Sequence, residues 1–209
     1  MASILKVDTI QDQSGNNIIN ENAGTITIGK SGDAINLASG VTNNIGIAIA
    51  DQWYTTQDQL ISADTVTVLT GGGTGWSRTP KTLMGSIGLN MSESSGVFTF
   101  PSTGIYYINY KCEMTSDVTA NYRAAQASIQ GTTDNSTYTS ISTSTGHFGA
   151  ETTASFTNVN VPYIVDITDT ANQKIRFTAY FIGNTGDVIG DISPADTRTM
   201  VTFVRIGDT

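Results

Sequence analysis

The sequence predicts an all-β protein. Residues 96–110 read GVFTFPSTGIYYINY, so aromatic and β-branched residues alternate with other residues on both sides of a Pro-Ser-Thr-Gly turn. Such alternation is typical of half-buried strands. Similar strand candidates recur along the chain with turn residues between them, and no segment carries an apolar stripe at helical spacing. Together these observations predict a β-sandwich or a β-barrel.

The turn inside residues 96–110 has residues that suit a reversal of the chain. Pro101 has a fixed φ and no amide hydrogen, and Gly104 can adopt a positive φ without steric cost. We therefore expect two strands of one antiparallel sheet on either side of this turn. The side chains expected to anchor the core are Phe98, Phe100, Tyr106 and Ile108.

Composition narrows the classes of partner. The chain has 209 residues, enough for one ordinary domain and a smaller unit, and its formal charge is −8. This acidic balance argues against nucleic acid and anionic membranes as partners, because both need a basic surface.

No run approaches the roughly 18 apolar residues of a membrane span. The opening residues lack the pattern of a signal peptide, so we expect assembly in a cytoplasm. Cys112 is the one cysteine and is expected to be a buried thiol.

The first 50 residues differ from the remainder. Short alternating segments are separated by Gly-containing turns and form a weak internal repeat. Isolated hairpins are marginally stable in water, so we expect several chains to supply one another's missing partners. The residues expected to line that shared core are Ile26, Ile28, Ile35 and Leu37. The alternative is a flexible tail rich in Asn and Gly.

The predicted organisation has four parts. Residues 1–20 are an attachment segment, 21–50 a β-rich intertwined shaft, 51–61 a hinge and 62–209 the head. The strand candidates of the head besides the central pair are 65–69, 124–129, 156–165, 174–181 and 199–206. The polar stretch 130–145 is expected to be a surface loop or an edge strand, and Pro162 suits an edge strand as well.

The central motif resembles that of a known family. The matching residues are Gly96, Phe98, Phe100, Pro101, Gly104, Tyr106, Ile108 and Tyr110. They resemble the globular head of the complement first component and the related tumour-necrosis-factor-like jelly rolls. The departures are Phe100, where a Cys is frequent, and Ile108, where an aromatic residue is usual. The resemblance implies a homotrimeric jelly-roll head whose last strand lies in the middle of a sheet.

The N-terminus carries a second resemblance. Its opening resembles that of structural proteins from marine tailed bacteriophages, which continue into Gly/Asn-rich repeats and a variable head. The matching residues are Met1, Ala2, Ser3, Ile4, Leu5, Val7, Asp8, Ile10 and Gly15. In such proteins the N-terminus docks onto the virion. The resemblance therefore implies that Ile4, Leu5, Val7 and Ile10 are attachment residues.

No catalytic set is apparent in the sequence. His147 is the one histidine, and a strand thiol such as Cys112 without an activating neighbour is a poor nucleophile. Zinc requires three or four nitrogen or sulfur ligands in most sites, and the sequence offers only His147 and Cys112. Asp187, Asp191 and Asp196 follow one another in a predicted acidic loop, which is compatible with glycoside hydrolysis, with a weak calcium site or with a solvated turn. We expect no enzyme activity, no cofactor and no resident metal.

These observations lead to the hypothesis of a virion structural protein, a short tail fibre or receptor-binding fibre. Its head would bind a glycan or protein on the host surface through loops at its far end. The candidate receptor-binding residues are Trp76, Tyr122, Tyr138, His147 and Asp187. A capsid decoration or head fibre of the same architecture is the alternative, and a polysaccharide-degrading spike is a third. A secreted signalling head is disfavoured by the absence of a signal peptide and collagen repeats.

Overall fold

The computed structural model describes residues 9–11, 17–22, 25–28, 47–72, 75–78, 84–116, 123–149, 154–190 and 197–209. The chain divides into two compact units, Met1–Asn43 and Asn44–Thr209. Within the described residues all regular structure is β strand, which confirms the predicted class.

The N-terminal unit contains a small antiparallel sheet. β1 (Thr9–Gln11), β2 (Asn17–Asn22) and β3 (Thr25–Ile28) pair in the order β1-β2-β3. The predicted strand with Ile26 and Ile28 is β3, and the predicted attachment residue Ile10 lies in β1. The predictions for Ile4, Leu5, Val7, Ile35 and Leu37 lie outside the described residues.

The described residues of the head unit form thirteen strands. In chain order they are β4 (Ile49–Thr55), β5 (Gln59–Ile61), β6 (Thr67–Val68), β7 (Trp76–Ser77), β8 (Ser92–Ser94), β9 (Val97–Thr99), β10 (Gly104–Ser116), β11 (Arg123–Thr132), β12 (Thr139–Phe148), β13 (Ser155–Ile167), β14 (Lys174–Phe181), β15 (Gly186–Val188) and β16 (Met200–Gly207).

These strands form two antiparallel sheets that face each other. In the first sheet β10 pairs with β13 along one side and with β16 and then β15 along the other, while β4 continues beyond β16. The second sheet has the order β12-β11-β14-β9-β8, with β6 paired to β14. This is the predicted jelly-roll sandwich. The last strand, β16, lies between β10 and β4, as the family resemblance implies.

An aromatic cluster fills the space between the sheets. Phe98 of the second sheet is 0% exposed, and its ring meets Trp53 at 5.5 Å and Phe203 at 5.3 Å, both from the first sheet. Such ring pairs contribute about 0.5–1.5 kcal/mol each beyond the burial of their surface. The four predicted anchors are buried, with exposures of 0–2%, so that prediction is confirmed.

The two strands of the central motif do not pair with each other, contrary to the prediction. β9 pairs with β14 and β8, whereas β10 belongs to the other sheet. Residues 100–103 therefore cross from one sheet to the other. Phe100 begins this crossing, and its ring packs on that of Tyr106 with ring centroids 4.7 Å apart. Alternation specifies which face of a strand is buried but not which strand is its neighbour. Gly104 has φ 143°, and a Cβ there would collide with the Arg205 side chain.

The predicted hinge at residues 51–61 is wrong, because this stretch supplies β4 and β5 to the first sheet. β4 pairs with β16 over six positions, from Tyr54 opposite Met200 to Ile49 opposite Arg205. Asp51 is buried there and accepts hydrogen bonds from Trp53 Nε1 and the Met91 amide, both at 2.9 Å. The compact unit accordingly begins at Asn44. A polar run that reads as a linker here supplies a core strand.

Some of the other predictions are confirmed and others are corrected. β14 occupies residues 174–181 as predicted, and the polar stretch 130–145 contains the start of edge strand β12. Pro162 lies in β13, the edge strand beyond β10. The predicted acidic loop contains β15, whose Asp187 pairs with Thr115 of β10. Cys112 is fully buried, and burial raises the pKa of its thiol to about 12.

Candidate functional site

The connections between strands lie at two ends of the sandwich. We call the end at which residue 47 enters the head the proximal end and the opposite end the distal end. The proximal end carries residues 100–103, 133–138, 168–173 and 207–209. The distal end carries the C-terminal ends of β4, β10, β12 and β14. The predicted receptor residues can be placed on this division.

Two of them, His147 and Asp187, lie at the distal end. His147 is exposed near the end of β12, opposite Ala124. Asp187 is half-buried in β15 of the other sheet, opposite Thr115 and Leu60. Tyr122 lies outside the described residues, as do Asp191 and Asp196.

Trp76 is a core residue, so its assignment to receptor binding is wrong. It is 5% exposed, and its Nε1 donates a hydrogen bond to the Leu69 carbonyl at 2.8 Å. Its ring meets Phe98 at 5.5 Å and Phe177 at 5.6 Å. The short strand β7 pairs with the end of β4 and directs this side chain between the sheets. A Gly-rich neighbourhood suggests exposure in the sequence, but the bulk of an indole favours burial.

Tyr138 lies at the proximal end, in the turn between β11 and β12. The Arg176 guanidinium carbon lies 4.1 Å from the centroid of its ring, within cation–π range. Arg176 Nε also donates to Gln130 Oε1 at 2.7 Å, which fixes the guanidinium. Nine positions separate Tyr138 from His147, roughly 30 Å along an extended strand. The predicted receptor residues therefore do not form a single site.

A cavity opens beside that turn, between the edge strands of the two sheets. This proximal cavity has a volume of about 430 Å³. Its apolar wall consists of Ile141, Tyr163, Val165, Ile167 and Ile175. Its rim is polar and comes mainly from the β11–β12 turn and from Gln173 and Lys174. Nothing in the alternation of the strands indicates this cavity, because it depends on how the two edge strands separate.

Asp134 is the acidic group of the rim. Its Oδ1 accepts hydrogen bonds from the Thr137 amide at 2.7 Å, the Ser136 amide at 2.9 Å and the Thr132 hydroxyl at 2.7 Å. These bonds hold the pKa of the carboxyl well below its usual range, and the bond from the Thr137 amide contributes most to this shift. The Thr137 side chain also forms a hydrogen bond with this carboxyl. The carboxylate is thus charged, fixed in place and exposed to solvent.

The opposite side of the rim is ordered by its own side chains. Gln173 Oε1 accepts hydrogen bonds from the Thr168 and Asp169 amides, both at 2.7 Å. Lys174 Nζ donates to the Thr170 carbonyl at 2.6 Å.

In the part of the chain that the structure describes, no group of three His, Cys, Asp or Glu residues could share a metal ion. In that same part no helix is long and apolar enough to cross a membrane.

The outward surface of the first sheet carries a second candidate feature. Ile164, Tyr107, Val204, Ala50 and Ile87 are successive neighbours across β13, β10, β16, β4 and the segment beside β4. We call them the apolar row. Ile164 is 57% exposed and Ile87 is 51% exposed, and the three residues between them are half-buried. The row runs across the width of the sheet on the face that points away from the core.

Comparison with known proteins defines the fold. No protein family matches this chain, and no curated protein is similar to it in sequence. Among solved structures, the Eiger tumour-necrosis-factor protein of S. frugiperda aligns with a TM-score of 0.51 at 9% identity, over 78% of this chain and 94% of that one. The chain has a tumour-necrosis-factor-like fold. Murine APRIL at pH 8.0 aligns with a TM-score of 0.49 at 9% identity, over 76% of this chain and 98% of that one. At such identity the similarity concerns the fold alone.

Proposed function

We propose that this chain is a structural subunit of a tailed bacteriophage, a short tail fibre or receptor-binding fibre on the virion. Its N-terminal residues attach to the particle, and its heads associate as a homotrimer that binds a glycan or protein of the host surface. The resemblance of Met1–Gly15 to phage structural proteins supports the attachment role. The tumour-necrosis-factor-like head supports a binding module that needs neither catalysis nor a cofactor.

The apolar row is the observation that carries the proposal. An antiparallel sheet with one face in water normally presents polar residues on that face. Contiguous exposed apolar residues mark an interaction surface instead. The row contains no charged side chain, so a second and a third copy of the same surface can approach it without desolvating a charge. The family resemblance to trimeric heads favours this occupant.

The division into two ends supports the receptor role. His147 and Asp187 lie at the distal end, so they remain candidates for receptor contact. Tyr138 lies at the other end and is no longer one of them. Three weak contacts on one trimer would gain avidity from their shared frame.

Competition for adsorption tests this function. Purified full chain should reduce phage adsorption to host cells, and the double variant His147→Ala/Asp187→Ala should reduce it less. The variant Tyr138→Ala, altered at the other end, should compete as well as the unaltered chain. Equal competition by all three proteins would contradict a distal receptor site.

Co-purification distinguishes the related roles. A fibre should be recovered with isolated tails, whereas a capsid decoration or head fibre should be recovered with empty capsids. Release of reducing sugar from host envelope by the purified chain would instead favour a polysaccharide-degrading spike. In that case substitution of Asp187, Asp191 and Asp196 should abolish the release.

A further inference from the structure

We propose that the proximal cavity binds a monosaccharide unit of a carbohydrate. Such a ligand has hydroxyl groups around its edge and an apolar face formed by C–H groups. The cavity offers a matching division into an apolar wall and a polar rim. It lies at the end opposite His147 and Asp187, so this proposal stands independently of the receptor contact proposed above.

The cavity has the size and the wall of a small-molecule site. Its volume of about 430 Å³ lies within the range of ordinary ligand pockets. A single sugar ring fits such a space with room for its substituents. Tyr163 and the aliphatic side chains of the wall supply the apolar surface against which the C–H face of a sugar can pack. Few polar groups then suffice to orient the ligand.

Asp134 supplies the orienting group. Because Oδ1 is occupied by donors from its own turn, the carboxylate does not need to be ordered when a ligand arrives. The exposed carboxylate can accept hydrogen bonds from sugar hydroxyls, and bonds to a charged acceptor are stronger than neutral ones. The hydroxyl of Thr139 on the same rim can donate or accept further bonds.

The walls of the cavity are fixed by contacts that do not involve a ligand. Arg176 holds Tyr138 on the β11–β12 side, and Gln173 orders the β13–β14 turn on the other. The Ser142 hydroxyl donates to the Pro162 carbonyl at 3.3 Å and ties β12 to β13 beside the opening. The cavity is therefore formed before binding, which lowers the entropic cost of association.

The charges of the rim favour a neutral polar ligand. The Asp134 carboxylate repels anions, and the Lys174 ammonium on the opposite side repels simple cations. Neutral hydroxyl groups avoid both penalties. A fully apolar ligand would bury the rim without supplying hydrogen-bond donors for the Asp134 carboxylate.

Binding of methyl glycosides to the full chain tests the proposal. The methyl glycosides of glucose, galactose, mannose and N-acetylglucosamine are offered singly at millimolar concentration, and binding is followed by saturation-transfer NMR. We expect at least one of them to bind. Asp134→Asn should weaken that glycoside about tenfold, because a charged acceptor is lost. Thr139→Trp, at an exposed position of the rim, should block the opening and abolish binding.

Asp169→Asn is the matched control. Asp169 lies in the neighbouring proximal turn, where its Oδ1 accepts the Ala171 amide at 2.8 Å, but it does not line the cavity. It should leave glycoside binding unchanged, and thermal unfolding of all three variants verifies the fold. Absence of binding by all four glycosides, or binding that survives both cavity variants, would overturn the proposal. Indole is offered as an apolar probe in the same measurement. If indole bound and none of the glycosides did, the assignment of the cavity to a carbohydrate would be wrong.

Discussion

The two sheets of the head bury the same kind of side chain but present different outward faces. The first sheet carries the apolar row from Ile164 to Ile87. The second sheet carries hydroxyl and amide groups, and between β11 and the edge strand β12 the Ser128 and Thr143 hydroxyls are 2.8 Å apart. Since both sheets share one core, the core cannot explain the difference between their outward faces.

The difference shows where the head needs a partner. Outward polar groups of the second sheet bond to one another at the Arg176–Gln130 and Ser128–Thr143 contacts. The first sheet leaves apolar surface in water, which costs about 25 cal/mol for each Å² that a partner could cover. Folding of one chain is therefore carried by both sheets, whereas association is expected to involve the first sheet.

Removal of β4 is the largest change to this comparison. The fragment 60–209 lacks the strand that pairs with β16 and carries the buried Asp51. We expect it to lose cooperative folding, because the first sheet loses an inner strand and part of the aromatic cluster. The fragment 44–209 should unfold in one transition when followed by circular dichroism. Matching transitions in the two fragments would show that β4 is dispensable.

Phe98→Ala tests the core that the two sheets share. Phe98 contacts aromatic rings from both sheets and is fully buried. Truncation of a buried Phe costs about 3–5 kcal/mol of unfolding free energy. Val66→Ala, at an exposed position, should change it by less than about 0.5 kcal/mol. Urea unfolding measures both values, and similar values would contradict the central role of the cluster.

Charge placed on each outward face separates folding from association. Ile164→Asp should lower the mass of the full chain in solution to that of one chain, because a charge would be buried between copies. Thr145→Asp, exposed on the second sheet, should leave the mass unchanged. Circular dichroism should show intact strands in both variants. Dissociation by Thr145→Asp alone would assign the interface to the other sheet.

Cys112 gives the smallest expected effect. Burial raises the pKa of its thiol from about 9 to about 12, so the folded chain keeps the proton that the unfolded chain loses. Its contribution to stability is complete below pH 9 and is lost as the pH rises towards 12. At pH 9 iodoacetamide should label the unfolded chain and leave the folded chain unlabelled, which mass spectrometry measures. Rapid labelling of the folded chain would contradict a closed core.

The fold was largely predictable from the sequence. Alternation identified strands such as β14 and the buried faces of Phe98 and Tyr106, because side chains alternate between the faces of a strand. It could not place β9 and β10 in different sheets, since pairing depends on distant segments. It also misread β4 as a hinge, because the buried Asp51 obtains its hydrogen-bond donors only in the folded sheet.

The candidate sites were less predictable. Exposure of an aromatic residue cannot be read from a Gly-rich neighbourhood, and Trp76 shows this. Asp134 is one acidic residue in a polar stretch and does not stand out in the sequence, although Asp-Asn-Ser is typical of a turn that caps its own amides. The proximal cavity arises between strands that are distant in the sequence, and so does the apolar row. Their individual residues are ordinary, and only the register brings them together.

The mass of the full chain in solution tests the central claim most directly. Light scattering should give three times the 22.1 kDa of one chain. The fragment 44–209 should also be trimeric, since the apolar row lies within it. A folded, monomeric fragment would contradict the assignment of the first sheet as the interface and would remove the main support for a trimeric fibre head.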